Sequence, residues 1–519
     1  MVTVNTVKKN HYQDSMKLME ISRKLSALPG VKNASAIMAT EANLAMLREV
    51  GLLEKTPDSA TANDLVVAVQ AQSLDIGNDA IKQLDSLLAP EEFSPVSHTQ
   101  HKNLASAYGA MPGANVAVVS VPGKFAKLEV AKAINTGLHT FLFSDNMTIE
   151  EEIELKERAR GKGLLVMGPG CGTSVINGVG LGFSNLLNRG PIGVVAASGT
   201  GLQEVTCLID NLGSGITHAI GVGGRDLSEE VGGIMTLEAL GLLENDASTE
   251  VLVLVSKPPS TNVAEKILNS VGRSSKPAVI CFLGSDLKEE NGKLLFASTL
   301  EDAALGALRL ARGNGKSLNG LRSGDWRKQA GKYVKSLDPK QRYLRGLFSG
   351  GTLCYEAQQV LEPILGNIYS NAPLNKDYRL KDSNRSERHT CVDLGEEEFT
   401  VGRPHPMIDA TLRSRRLIDE AAKSNVAVIL FDIVLGYLAS PDPAGDLLPA
   451  LKQAKEAAKK KGHNLAFVSH VCGTEKDPQG LKEQEEKLRA EGVLVLPTNA
   501  LASRVAGWIA TRGKADIEI

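Results

Sequence analysis

The sequence has few aromatic residues and no excess of charge of either sign. Aromatic side chains make up 4% of its 519 residues, and 58 basic residues stand against 60 acidic ones. The core must therefore be built from small aliphatic side chains, which favours stacked α/β layers over a β-sandwich. Nucleic-acid-binding proteins carry a basic stripe with interleaved aromatic residues. Because this sequence has no such stripe, we expect no nucleic-acid partner.

The sequence also lacks a Cys-x-x-Cys pair, a recognisable export signal and a long apolar run. Its six cysteines are scattered, which predicts reduced thiols and neither disulfides nor a zinc ribbon. The N-terminus is polar, unlike a signal peptide. The longest apolar stretch, near residues 426–439, contains Asp432 and is too short to span a bilayer. We therefore expect a cytoplasmic protein without a membrane partner.

The length and the 50 glycines predict several α/β domains with many βα turns. Residues 90–113 predict a linker or a surface excursion, and the charged stretch 371–388 predicts a surface loop. The predicted domains are a small N-terminal α/β domain with a regulatory or assembly role (1–95), a Rossmann-like domain (96–189), two homologous α/β domains (190–312 and 341–519) and a connector between those two (313–340).

One stretch has the pattern of an anion-binding loop. Residues 193–197 predict a buried strand, Ser198-Gly199-Thr200-Gly201 predicts a tight turn, and residues 202–212 have helical spacing. Such a turn leaves unpaired N–H groups at the positive end of a helix dipole, which suits a phosphate. The alternative is that Ser198 is only an N-cap in a tight βα turn.

The same construction recurs about one domain length later. Ser349-Gly350-Gly351-Thr352 again follows an apolar strand and precedes a helical pattern. We infer two homologous units whose helix N-termini face each other across a pseudo-twofold axis, each stabilising a shared phosphate by roughly 0.3–2 kcal/mol. The doubling favours phosphate binding over simple capping. The predicted phosphate-binding residues are Ser198, Gly199, Thr200, Gly201, Ser349, Gly350, Gly351 and Thr352.

Further candidates lie in loops that follow predicted strands. The turn that contains Cys171, Gly172 and Thr173 ends a strand, where open α/β sheets place ligands. Cys171 is either a nucleophile or, as we favour, a small buried thiol. Arg225 and Asp226 follow another strand, either as catalytic residues or as a surface ion pair.

A proline-flanked histidine is the main acid–base candidate. His405 lies between two prolines and either acts as an acid or base near pH 7 or only holds its loop, with Asp409 accepting its proton. Two His-x-Cys pairs, at residues 389–391 and 470–472, have no third or fourth ligand, so we expect no metal site there. Glu396-Glu397-Glu398 is interpreted as a solvated acidic tip, with Mg²⁺ binding as the alternative.

These motifs together resemble a known enzyme family. Gly168-Pro169-Gly170-Cys171, residues 193–204 and residues 221–226 resemble the α subunit of succinyl-CoA synthetase, and residues 346–505 resemble the ligase domain of its β subunit. Almost the whole chain resembles the FdrA family of single-chain relatives. The resemblance implies an α/β fold, in which a small N-terminal α/β domain and a Rossmann-like CoA-binding-type domain precede two flavodoxin-like ligase domains.

The departures from succinyl-CoA synthetase bear on the chemistry. That family carries a phosphohistidine after the strand matching residues 277–283, whereas this chain continues Gly284-Ser285-Asp286 and has no histidine between His218 and His389. The Gly-rich CoA-binding turn and an ATP-grasp domain are not recognisable. The phosphate-binding loops are retained, so the resemblance implies acyl-phosphate chemistry without a phosphoenzyme.

Three functions follow from this interpretation. The first is carbamoyltransferase-type chemistry within a larger complex, converting oxalurate and phosphate into oxamate and carbamoyl phosphate. Arg225 or Arg403 would then bind the substrate carboxylate, and N–H groups near Cys171 would stabilise the oxyanion. The second is an acyl-CoA synthetase with a nucleotide-binding partner chain, and the third is a non-catalytic assembly scaffold. Phosphate or an acyl phosphate is the expected substrate, CoA and Mg²⁺ are further candidate ligands, and we expect other subunits and self-association.

Overall fold

The structure is a computed structural model that describes residues 1–519, apart from a set of short stretches. The stretches left out are 12, 14, 27, 50, 54–59, 89–100, 286–292, 312–324, 401–402 and 518–519. The chain forms two compact units. One is Met1–Gln100 with Glu397–Pro404, and the other is His101–Glu396 with His405–Ile519.

The N-terminal unit is an antiparallel sheet in the order β1-β3-β2, with helices packed against it. The apolar residues 65–69 of β3 occupy the buried centre. The helix Leu74–Lys82 begins after the N-cap Ser73, and Gln83 separates it from the helix Leu84–Leu88. The strands are β1 (Val2–Lys8), β2 (Val31–Met38) and β3 (Leu65–Ala71), and the helices are Ser15–Ser26, Glu41–Glu49, Leu74–Lys82, Leu84–Leu88 and Glu397–Thr400.

The second unit begins with a small parallel sheet in the order β4-β5-β6. For the second half of residues 90–113, the linker is wrong and the surface excursion is correct. Asn103 caps a short helix without buried residues, and the Ser106 N–H donates to the Asn103 side chain. Most of the first half lies outside the described residues. The strands are β4 (Val116–Val119), β5 (His139–Leu142) and β6 (Val166–Met167), and the helices are Leu104–Ala110, Gly123–Thr136 and Ile149–Arg160.

A seven-stranded sheet follows in the order β13-β12-β11-β9-β10-β7-β8. Five of its strands are parallel, and the β7–β8 hairpin is antiparallel at one edge. The strands are β7 (Thr173–Ile176), β8 (Val179–Gly182), β9 (Arg189–Ala196), β10 (Ile216–Gly221), β11 (Val251–Ser256), β12 (Ala278–Phe282) and β13 (Leu294–Phe296). The helices are Gly199–Asn211, Ile234–Asn245, Thr261–Gly272 and Leu300–Leu310.

The last sheet is fully parallel, in the order β15-β14-β16-β17-β18. The predicted connector 313–340 contains a helix that begins after the N-cap Asp325, and its residues 313–324 lie outside the described chain. The strands are β14 (Tyr343–Phe348), β15 (Thr390–Asp393), β16 (Val426–Val434), β17 (Ala466–Cys472) and β18 (Leu494–Leu496). The helices are Trp326–Ser336, Gly351–Leu365, Thr411–Ala421, Pro443–Lys460, Leu481–Ala490 and Asn499–Ala510, with a 3₁₀ turn at Lys376–Tyr378.

The parallel strands of both large sheets are buried on both faces, which accounts for the apolar runs in β9, β11 and β16. Across the described ranges, the helices fall short of the length and apolar character that crossing a bilayer requires.

A buried charged network joins the helix Ile149–Arg160 to the loop after β10. Lys156 Nζ donates to Glu152 Oε1 and Asp226 Oδ1, both at 2.7 Å, and to Val222 O at 3.0 Å. Asp226 also accepts from the Thr236 hydroxyl and the backbone N–H of the same residue. The alternative that Arg225 and Asp226 form a surface ion pair is therefore wrong. Asp226 is buried, and its carboxylate accepts hydrogen bonds from Lys156 and Thr236.

We expect Lys156→Met to lower the free energy of unfolding by about 3–5 kcal/mol, since it leaves Asp226 buried without a cation and Glu152 with Arg225 alone. Urea titration followed by circular dichroism measures this. Lys127→Met, which breaks only an exposed pair with Glu154, should leave the unfolding free energy nearly unchanged. An equal loss in both variants would contradict the network's role.

Candidate functional site

The N-termini of two helices touch at the carboxyl ends of the two large sheets. The first site helix, Gly199–Asn211, begins after β9, and the second site helix, Gly351–Leu365, begins after β14. Ser198 Oγ lies 2.5 Å from Thr352 Oγ1, and Thr352 N–H donates to Thr200 Oγ1 at 3.3 Å. The predicted facing of the two helix ends is therefore observed within one chain.

Glycines make this close approach possible. A Cβ on Gly201 would lie 2.4 Å from Ser198 Oγ and 3.0 Å from Thr352 Cγ2. A Cβ on Gly350 would lie 2.9 Å from Thr200 Cγ2. Any larger residue at either position would have to push the helix ends apart.

The two helix ends differ in their remaining hydrogen-bond donors. At the second end, Ser349 N and Gly350 N donate to the Asp432 carboxylate at 2.8 and 2.7 Å, and Ser349 Oγ donates to it at 2.9 Å. Asp432 is held in turn by Arg413, whose Nη1 lies 2.9 Å from Asp432 Oδ1. Two of the predicted phosphate contacts, Ser349 and Gly350, thus already have an anionic partner inside the protein.

The first helix end keeps its donors free. Ser198 Oγ accepts from Gly201 N at 3.0 Å, as an N-cap does. In the part of the chain that the structure describes, the N–H groups of Gly199, Thr200 and Gly351 have no acceptor. Free N–H groups at a helix N-terminus attract an anion, so the free donors lie mainly on the first helix.

A buried carboxyl that sequence reasoning did not select lies beside the second helix. Asp393 ends β15, and its Oδ1 accepts from Gly395 N at 2.9 Å. Its Oδ2 has no donor among the described residues and lies 2.5 Å from the position of a Cβ on Gly351. Burial, reinforced by Glu396, raises the pKa of Asp393 to about 7, although Lys257 counteracts the rise.

Lys257 is a second residue that sequence reasoning missed. It follows β11, the strand next to β9, so parallel pairing brings it to the same sheet edge as Ser198. Its Nζ lies 5.6 Å from the centre of the Tyr355 ring, and within the described residues no carboxylate is close enough for a salt bridge. The only signal in the sequence is its position at the end of an apolar run.

His405 lies in the same region, but not in the predicted role. Its Nδ1 accepts from Met407 N at 3.3 Å, which leaves the proton on Nε2. Nε2 lies 2.7 Å from the position of a Cβ on Gly395, a point that is also 3.2 Å from Asp393 Oδ1. Burial, with Arg413, lowers the pKa of His405 to about 4. The prediction that His405 acts as an acid or base near pH 7 is therefore wrong. The imidazole is neutral at that pH, and its Nε2–H is a hydrogen-bond donor.

The other predicted catalytic residues have different surroundings. Asp409 Oδ1 accepts from Thr411 N at 2.7 Å and is not paired with the imidazole of His405. Arg403 belongs to the other compact unit. Arg225 pairs with Glu152 at 2.9 Å and donates to Met147 O.

The predicted substrate turn contributes one residue near the first helix end. Thr173 Oγ1 lies 3.9 Å from the position of a Cβ on Gly199, and it donates to Phe183 O at 2.7 Å. The Gly172 carbonyl accepts from Phe183 N. Cys171 is buried, and burial raises the pKa of its thiol to about 11, so it stays protonated at neutral pH.

The two His-x-Cys pairs have structural partners. His470 Nε2 lies 2.7 Å from Glu204 Oε2, which joins β17 to the first site helix, and His389 Nδ1 accepts from Leu344 N. The described residues contain no cluster of three or more His, Cys, Asp or Glu side chains that could hold a metal.

Comparison with known families and proteins gives matches along most of the chain. A CoA-ligase family model matches residues 347–509, a CoA binding domain model matches residues 188–284, and the model "AllF, heavy metal-associated domain" matches residues 1–103. The Escherichia coli protein YahF, described as uncharacterized, is 40% identical over 510 residues, which is 98% of each chain. The chain belongs to the family of YahF. The resemblance to single-chain relatives of succinyl-CoA synthetase is thereby confirmed, as is the fold class, and the family is CoA-ligase-like.

More distant relatives match parts of the chain. The subunit SauD of a sulfoacetate-CoA ligase from Bilophila wadsworthia is 26% identical and covers 38% of this chain and 68% of its own length. The α subunit 2 of a succinate–CoA ligase from Archaeoglobus fulgidus is 26% identical over 32% of this chain and 58% of its own length. Among solved structures, ATP citrate lyase from Methanothrix soehngenii matches 79% of this chain and 85% of its own, with a TM-score of 0.31 and 13% identity.

We expect Gly201→Ala to lower the free energy of unfolding by about 1–3 kcal/mol, because its Cβ must force the helix ends apart. Gly241→Ala is the matched control. Gly241 lies inside the helix Ile234–Asn245 with open space around its Cβ position, so alanine should be neutral or stabilise by up to about 1 kcal/mol. Chemical denaturation compares the two variants, and equal effects would contradict a crowded helix contact.

The raised pKa of Asp393 predicts a pH dependence of stability. Between about pH 4 and pH 7 the folded chain keeps a proton that the unfolded chain has released, so stability from this group is lost as pH rises. Asp393→Asn should therefore gain stability relative to wild type on going from pH 5 to pH 8, by up to about 2.6 kcal/mol. Asp246→Asn is the control. The pKa of Asp246 is lowered, mainly by the Thr249 hydroxyl, so the pH dependence of its contribution to stability has the opposite sign. A pH-independent difference for Asp393→Asn would contradict the assignment.

Proposed function

We propose that this chain catalyses acyl transfer of the CoA-ligase type, in which an acyl group passes between a thiol and phosphate. The observation that carries the proposal is the contact of two helix N-termini with free N–H groups at Gly199, Thr200 and Gly351. The matches to models named CoA-ligase and CoA binding domain support it, since they cover both helix ends.

The first site helix binds the phosphate in this proposal. Gly199 and Thr200 donate from the first helix and Gly351 from the second, while Lys257 supplies the counter-charge. Asp432 keeps the phosphate away from Ser349, because its carboxylate already occupies those donors. The anion site is therefore asymmetric.

Asp393 and His405 act on the acyl carbon in this proposal. A phosphate oxygen attacks the thioester carbonyl, the C–O bond to phosphate forms, and the C–S bond breaks. His405 donates its Nε2–H to the oxyanion that forms at the carbonyl. Asp393, with a pKa of about 7, takes the proton from the attacking phosphate and returns it to the leaving thiolate.

A second candidate is carbamoyl-phosphate chemistry, and one observation favours it. No histidine lies between His218 and His389, and the strand β12 is followed by Gly284-Ser285, so no phosphohistidine is available for a nucleotide-driven ligase. The same residues would bind phosphate as it attacks the carbamoyl carbon of oxalurate, releasing oxamate. In both candidates the chain works as one component of a larger assembly, and a nucleotide-dependent reaction needs a partner chain.

A thermal-shift screen tests the phosphate site. Phosphate or an acyl phosphate should stabilise the wild-type chain by about 2.7 kcal/mol at a hundredfold excess over its dissociation constant. Lys257→Met should weaken that binding by about tenfold, a loss of about 1.4 kcal/mol, and Lys257→Arg should restore most of it. Lys266→Met, an exposed lysine on a neighbouring helix, should bind as wild type does.

Product analysis separates the candidates. Hydroxylamine-trapped acyl phosphate from an acyl-CoA and phosphate supports the CoA reaction, whereas carbamoyl phosphate formed from oxalurate without CoA supports the second candidate. A chain labelled on histidine by radioactive ATP would contradict both forms of the mechanism. Stabilisation by none of these ligands would leave the assembly scaffold as the explanation.

A further inference from the structure

A cluster of cations lies at the end of the last sheet that is opposite to the two site helices. It surrounds a cavity of about 540 Å³, within the size range of small-molecule sites. Arg345 is the third residue of β14, and the other lining residues precede β15, β16 or β17 in the chain, so the cavity is at the amino ends of these strands. The residues that define this basic pocket are Arg345, Ser386, Arg388, Lys423, Asn425 and Lys461.

The basic pocket has more positive than negative charge. Glu420 is the carboxylate behind it, and three cations share that group: Arg345 at 2.8 Å, Arg416 at 3.1 Å and Lys423 at 2.9 Å. Arg345 and Arg416 are nearly buried, at 2% and 7% exposure. Buried cations in excess of their carboxylates are costly unless an anion accompanies them.

Two solvent-exposed cations of the cavity lining add further positive charge. In the described chain, Arg388 and Lys461 make no salt bridge, and the cavity lining contains no acidic side chain. The pocket therefore combines two unpaired cations with the surplus around Glu420. Hydroxyl and amide groups of Ser386 and Asn425 complete a lining that suits phosphate oxygens.

The local backbone presents these groups to the cavity. Arg345 Nη1 donates to the Arg388 carbonyl, which ties the two arginines together, and Arg345 Nη2 has no acceptor among the described residues. Arg388 has a φ of 40°, in the left-handed region that non-glycine residues rarely adopt. Such backbone strain persists only where the surroundings hold it, and it is enriched at ligand sites.

We propose that this basic pocket binds a small polyanion that carries two or more phosphate groups. A single phosphate would neither fill the cavity nor balance its charge. Nucleoside diphosphates and inorganic tripolyphosphate share this chemistry, and the experiment distinguishes them. The proposal concerns the amino ends of the strands and is independent of the phosphate bound between the site helices at their carboxyl ends.

Isothermal titration calorimetry with tripolyphosphate, ADP and adenosine tests the proposal on the full chain. At 50 mM salt, wild type should bind tripolyphosphate or ADP saturably with a dissociation constant below 1 mM, more weakly at 300 mM salt. If tripolyphosphate and ADP both bind and adenosine does not, the recognised group is the phosphate chain. If only ADP binds, the ligand of the pocket is a nucleotide.

The double variant Arg388→Ala/Lys461→Ala should weaken this binding at least tenfold. The matched control, Arg385→Ala/Lys460→Ala, removes the same charge from exposed neighbours outside the cavity lining and should bind as wild type does. Gly201→Ala, which separates the site helices, should keep the binding, so a failure at that site is distinguishable. No saturable binding in wild type, an unchanged Arg388→Ala/Lys461→Ala variant, or an equal loss in the control would each overturn the proposal.

Discussion

The contact between two helix N-termini is the constraint on which the rest of the structure depends. Each helix end carries a partial positive charge of about half an elementary charge, so bringing two together is unfavourable unless negative charge is supplied. Asp432 supplies it at the second helix through three hydrogen bonds. Among the described residues the first helix end has no such anion, and this difference is why the proposed phosphate lies mainly on the first helix.

Glycine and small hydroxyl residues allow that contact, and the sequence pattern was sufficient to predict it. Ser198 and Thr352 occur in loops that read as strand, small-residue turn and helix, because each half repeats the same local chemistry. The parallel strands could be predicted from their continuous apolar runs. The helix at 104–110 was missed because it is short and exposed and so has little periodic signal. The helix at 326–336 was missed although Trp326, Ala330 and Tyr333 have helical spacing, because its Gly-, Ser- and Lys-rich surroundings were interpreted as a connector.

The residues that complete the site could not be read from local sequence. Asp432 lies 83 positions from Ser349, and only the pairing of β14 with β16 brings the two together. Asp393 and Lys257 likewise reach the site because their strands pair with neighbouring strands. The residues next to them in the sequence do not distinguish them from charged residues on the surface. His405 was found from its flanking prolines, but its protonation depends on burial, which the sequence does not reveal.

One helix of the last domain touches both ends of the sheet. On the helix Thr411–Ala421, Arg413 donates to the Asp432 carboxylate next to the second site helix. Arg416 and Glu420, one and two turns further along, form an ion pair next to the basic pocket. These three side chains lie on a single face of a rigid rod. One short helix therefore supplies charged side chains to two regions that lie at opposite ends of the same strands.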